Sequence, residues 1–165
     1  MRYVPPGGES ARFIVKALNE AAGELRELFW ALPADVLSRE CPPPDDGWSL
    51  AALAVHLREV EGSAYDRMRR ILTEPGDELP PVDFDDVPEP PTDDPLDAVE
   101  GFAWLRRRTT YLLWDLSPSD WERSAPFRYR GRLSLLDLAR ELYQHDLEHL
   151  WQAKRMAEAL LHVPR

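Results

Sequence analysis

TEPGDELPPVDFDDVPEPPTDDP, residues 73–95, decides how this chain can be threaded. Seven of these residues are proline and nine are acidic, with no Lys or Arg among them. Proline removes backbone donors and one-sided charge repels itself. The segment is therefore expected not to pack or form a regular element, and much of it is expected to be mobile. The helical pattern before it, about 25 residues, is roughly 37 Å long at 1.5 Å per residue. Stretched out, the segment reaches roughly 75 Å, enough to return along a whole bundle. A short link would force its two flanking helices antiparallel, whereas this one permits them to run parallel.

Working outward, four long helical patterns appear and no convincing strand. The first runs from about Ser10 to Leu32, with Ile14, Leu18, Ala21, Leu25, Leu28 and Leu32 at helical spacing and Pro33 as its stop. After the Pro-rich loop Cys41–Gly47, Ser49 stands where an N-cap belongs, and the second helix runs to about Leu72. Asp94, Pro95 and Asp97 supply a cap, a proline at the first position and an acid in the first turn of the third helix, which ends near Leu116. Ser117-Pro118-Ser119-Asp120 repeats that start signal for one short turn. Residues 127–131 read as a loop or a brief extended piece. Ser134 with Asp137 three residues on resembles a capping box opening the fourth helix, which runs to about Leu161.

Composition bounds the function. A chain of 165 residues fits one domain, 1–165, with a core that needs no staples. No apolar run approaches the roughly 18 residues of a membrane span, and the first eight residues do not read as a signal peptide. Cys41 is the single cysteine, which suits a reducing, cytoplasmic setting. The net charge of −10 is concentrated in residues 73–95; elsewhere 21 acids face 20 bases. Nucleic-acid binding needs a clustered basic face. The only candidates, Arg67, Arg69, Arg70 and Arg106, Arg107, Arg108, are spread around their helices and read as solvated faces. No nucleic-acid or membrane partner is expected.

Three of the four histidines fall on faces that otherwise read as core. His145 and His149 stand four apart, on one stripe with Leu138, Leu142, Gln152 and Met156. His56 is in line with Ala52, Leu53, Val60, Ser63 and Ala64 on the second helix. Each alone could be a hydrogen-bonded core histidine. For all three together a shared metal ion is more economical, because it removes the cost of burying three polar rings. Asp146 lies about 100° from the metal face, which argues against a zinc-peptidase arrangement. His162 reads as a solvated terminal residue, and Cys41 has nothing near it to lower a thiol pKa. Trp30, Trp104, Trp114 and Trp151 recur at helical positions and are expected in the core.

The run from Gly47 to Leu57 (GWSLAALAVHL), with Glu59 and Glu61 after it, resembles the second-helix signature of the DinB-like superfamily of metal-binding bundles. The segment from Gly131 to Leu138, continued through His145–Gln152 (HDLEHLWQ), resembles that superfamily's last helix. The resemblance implies an all-α four-helix bundle, up-down-down-up, with a long crossover between helices two and three. It also implies a metal site on His56, His145 and His149. Three neutral imidazoles leave an ion's charge and at least one position open, which leans catalytic. Imidazole suits several divalent ions, with Zn or Ni favoured over Fe or Mn. Relatives include bacillithiol- and mycothiol-dependent transferases. The first expectation is thus a thiol S-transferase-like enzyme acting on a small electrophile, with Arg67, Arg128, Arg130 or Arg132 available at the pocket mouth for an anionic thiol. Hydrolysis of a small ester or amide, and a non-catalytic metal-binding stress-response module, are the alternatives. Glu148 and Asp146 are outer or structural acids, with surface ion pairing as their expected use. The expected partners are a small-molecule substrate, a low-molecular-weight thiol among the candidates, and a second copy of the chain in a homodimer.

Overall fold

A computed structural model describes residues 8–45, 47–74, 76–84 and 94–162. Four long helices carry the architecture: α1 (Gly8–Trp30), α3 (Leu50–Thr73), α4 (Pro95–Trp114) and α6 (Leu135–Leu161). Two single turns, α2 (Ala34–Leu37) and α5 (Pro118–Trp121), and a hairpin of β1 (Ser124–Phe127) and β2 (Gly131–Ser134) fill the connections.

The helix starts follow local chemistry. The Ser49 side chain accepts from the Ala52 N–H at 3.1 Å. Asp94 accepts from Leu96 at 2.8 Å, with Pro95 in the first turn. Ser117 with Asp120, and Ser134 with Asp137, form complete capping boxes. Pro33 does stop α1, but it also stands as N-cap of α2.

Side-chain pairings give the helix directions. Arg58 lies against Gly101, Gly62 against Leu105, and Tyr65 against Arg108, so α3 and α4 run parallel. Arg26 pairs with Glu100, and Leu18 accepts from Arg106, so α1 and α4 are antiparallel. Phe13 meets Tyr143 and Glu24 meets Lys154, so α1 and α6 are parallel. The order is up-down-down-up, as the crossover length permits.

The tether packs more than its composition suggests. Leu79 and Val82 are buried. Leu79 donates to the Pro126 carbonyl at 2.8 Å and accepts from Arg128 at 3.0 Å, bridging to Phe127 on β1. Arg67 donates to the Pro80 carbonyl at 2.9 Å. The apolar residues between the prolines anchor residues 79–84 along α3 and the hairpin. The expectation that this part neither packs nor pairs is therefore corrected. The expectation of mobility falls largely on residues 85–93, outside the described residues.

Two further expectations change. Residues 127–131 do form a loop, but it is the turn of a true antiparallel hairpin where no strand is expected, with Ser124 opposite Ser134 and Phe127 opposite Gly131. The four tryptophans expected in the core, Trp30, Trp104, Trp114 and Trp151, are each more than half exposed. Trp30 shows why: its indole N–H donates to Glu100 at 2.7 Å, at the rim between α1 and α4. No helix among the described residues is long and apolar enough to cross a membrane.

Cys41 is buried and accordingly inert. Burial, with Asp45 and Glu40 nearby, pushes its thiol up to about 11. We expect native protein to resist iodoacetamide at pH 8, with labelling becoming rapid only in denaturant. Rapid stoichiometric labelling of the native chain would contradict this.

Candidate metal centre

The core divides into two apolar clusters, one around Leu53, Leu57, Phe102 and Leu150, the other around Leu18, Ala64, Leu138 and Leu142. At their boundary three of the four long helices turn polar. On this level α3 contributes His56 and Glu61, α4 Arg106 and Thr109, and α6 His145, Asp146 and His149. The spacing of four that puts His145 and His149 on one face of α6 brings both against His56 on antiparallel α3.

The three predicted histidines meet. His56 Nε2 lies 2.9 Å from His145 Nε2 and 3.1 Å from His149 Nε2. The His145 and His149 rings are 4.3 Å apart and nearly perpendicular. His56 and His145 are buried and His149 is partly so. Trp48 faces His56 and His149 at 5.6 and 6.1 Å, and Phe84 from the tether faces His145 at 5.2 Å.

Hydrogen bonding alone does not settle this arrangement. His149 Nδ1 is 2.7 Å from Gln152 Oε1, which can only accept, so His149 carries its proton on Nδ1 and turns a lone pair on Nε2 inward. His56 Nε2 holds one proton or one lone pair. As an acceptor it meets the His149 lone pair head-on; as a donor it divides one N–H between two rings. A cation bound by all three lone pairs removes the conflict. Four-coordinate zinc at about 2.0–2.1 Å would hold such nitrogens roughly 3.3 Å apart, close to the spacing seen. The three ligand atoms lie within 4.8 Å of one another, and no carboxylate joins that cluster among the described residues.

The surroundings favour neutral rings, the state that binds metal. Burial, then the neighbouring His149 and His56, then the Arg106 charge, push His145 down to about 2. Burial lowers His149 as well, opposed by Gln152 and Glu148.

Beneath the histidines lies a buried charge cluster that the sequence reading missed. Arg106 donates to Asp146 at 2.6 and 3.0 Å, to Glu61 at 2.6 Å and to the Leu18 carbonyl at 2.6 Å, thereby touching all three other long helices. Thr109 donates to the other Glu61 oxygen. The two carboxylates hold the guanidinium firmly protonated against desolvation. Burial raises Asp146 to about 6 despite Arg106, which it shares with Glu61. Asp146 is therefore not a surface ion-pairing residue and Arg106 is not on a solvated face; both expectations are corrected. A signal was present. Phe102, Arg106, Thr109 and Leu113 form one helical stripe, as do Leu57, Glu61, Ala64 and Met68.

The arginines expected at the pocket mouth are engaged elsewhere. Arg67 bonds Pro80 and Asp66, Arg128 pairs with Glu78, Arg130 with Glu141, and Arg132 with Ser124. Glu148 is exposed on α6. His162 is an exposed residue capping the end of α6, outside the histidine cluster.

The sequence matches the family model of the DinB superfamily over residues 17–153, a span holding all three histidines. No curated protein matches it. Among solved structures it is similar to YfiT from Bacillus subtilis, described as a probable metal-dependent hydrolase with an unusual four-helix bundle topology. The TM-score is 0.68 at 19% identity, over 93% of each chain. That likeness shows the same fold.

Proposed function

The chain belongs to the DinB superfamily, and we propose that His56, His145 and His149 hold one divalent metal ion at the active site of an enzyme acting on a small electrophile. The observation that carries this reading is the convergence of three Nε2 atoms on one point, with His149 oriented lone-pair-inward by Gln152. A divalent ion held there supplies a positive charge that makes a coordinated water or thiol acidic and nucleophilic.

The chain's own residues prepare the site for that task. Burial keeps the His145 and His149 imidazoles neutral, so no proton has to be displaced from those two near pH 7. Gln152 fixes the His149 tautomer and ring angle. Trp48 and Phe84 give the centre two aromatic neighbours, which suits an uncharged, apolar substrate better than a highly charged one.

Water is the nucleophile we favour, making the enzyme a hydrolase of small esters or amides. YfiT, the protein of similar fold, is described as a probable metal-dependent hydrolase, and no arginine proposed for an anionic thiol stands against the histidines. Thiol S-transfer is the second reading. It is supported by a donor set with no carboxylate in the cluster among the described residues, since a coordinated thiol needs no separate base. Zinc- or nickel-loaded protein offered p-nitrophenyl esters and alkyl halides, with and without small thiols, separates them by product. Hydrolysis yields acid without any thiol; transfer yields a thioether only with one. No metal-dependent turnover of either kind would overturn the enzymatic reading.

Replacing Gln152 with leucine removes the acceptor for His149 Nδ1–H. We expect zinc affinity to fall about 10- to 100-fold, while Gln152→Glu retains it. A Gln152→Leu protein with wild-type affinity would show that the contact does not orient a ligand.

A further inference from the structure

On the α1–α4 side of the bundle, away from the α3–α6 face that carries the histidines, lies a cavity of about 610 Å³. Its floor is apolar: Ala11, Val15, Leu113 and Trp121 are all buried. Tyr111 and Trp114 stand beside it, 87% and 59% exposed, an arrangement that leaves two aromatic faces in water. Its volume is that of sites for drug-sized molecules.

Charge makes the cavity specific. Nearly every described arginine is engaged by a carboxylate, a carbonyl, a hydroxyl or a ring, as expected for a chain of net charge −10. Arg12 and Arg107 alone have no such partner among the described residues, and both line this cavity, one from α1 and one from α4. Lys16, beside Arg12, makes only an exposed 3.5 Å pair with Glu20. Two unpaired guanidinium groups over an apolar, aromatic-sided floor complement a single class of ligand: a small organic anion with a flat or apolar body.

We propose that this cavity is a second ligand site, distinct from the histidine cluster, for a free aromatic carboxylate. The guanidinium groups receive the carboxylate, and Val15, Leu113 and Trp121 receive the ring.

The test is calorimetric titration of the full-length, chelator-treated chain with 2-naphthoate and with its neutral counterpart 2-naphthamide. Chelation keeps the carboxylate from being read out at a metal. Naphthoate should bind one per chain and at least about tenfold more tightly than the amide. Arg12→Gln and Arg107→Gln should each weaken it about tenfold and together abolish it. Both side chains lack partners among the described residues, so these variants should fold normally by circular dichroism. Val15→Trp, which fills the floor, should also abolish binding. Equal binding of acid and amide, or undiminished binding by the double variant, would overturn the proposal. So would sedimentation showing a dimer weakened by Arg107→Gln, with no naphthoate uptake, because the groove would then be a contact between copies of the chain.

Discussion

Replacing Arg106 with methionine is expected to destabilise the protein by about 3–5 kcal/mol, the usual cost of removing one partner from a buried ion pair. Glu61 and Asp146 are at most 1% exposed, and the substitution leaves two carboxylates facing each other without a cation. The Leu18 carbonyl loses its side-chain donor as well. For a chain of this size such a loss lowers Tm by roughly 10 °C. The mechanism makes a second, less obvious forecast. Combining Arg106→Met with Glu61→Gln and Asp146→Asn removes the uncompensated charges, so the triple variant should be more stable than the single one. Denaturant titration checks both. An Arg106→Met protein within about 1 kcal/mol of wild type, or a triple variant less stable than the single one, would show that the cluster is not a charge-balanced core layer.

The second large effect concerns the histidines. His56→Ala, His145→Ala and His149→Ala should each weaken zinc binding by more than about 100-fold, beyond the range typical of losing an outer hydrogen bond. His162→Ala should leave it unchanged, because His162 caps α6 away from the cluster. Competition against a chromophoric chelator reads all four. Equal affinity in wild type and any one of the three variants would remove that residue from the donor set.

The contrast between these two sites shows what the sequence could reveal. The histidines were legible because the i, i+4 pair and His56 sit on faces otherwise apolar, and because their flanking runs resemble a known superfamily. The helix starts were legible too, since Ser49, Asp94, Ser117 and Ser134 act on the backbone within three residues of themselves. Arg106 was not, because Arg107 and Arg108 come directly after it, and a run of three arginines reads as surface unless its stripe with Phe102 and Thr109 is followed. Asp146 was misplaced for a related reason. It does point away from the histidine face, but the neighbouring face is also buried, against Arg106 of α4. The tryptophans failed differently. Helical spacing says which residues share a face, not whether a side chain at the edge of that face stays half in water, as Trp30 does beside Glu100. The hairpin has two four-residue strands, too short for an alternation signal, and its neighbour Leu79 comes from 45 residues before Ser124.

The tether joins these threads. It is long because α3 and α4 run parallel, and its described part places Phe84 against His145. One segment thus sets the topology and supplies an aromatic neighbour to the centre.

The central claim is that the three histidines form a metal site and not a hydrogen-bonded core. Its most direct test is the zinc content of untagged protein, stripped with chelator, reloaded and dialysed, beside the His56→Ala/His145→Ala/His149→Ala variant. The account predicts one zinc per wild-type chain and none in the variant. A wild-type chain that retains no divalent ion, or a variant that retains as much, would contradict it.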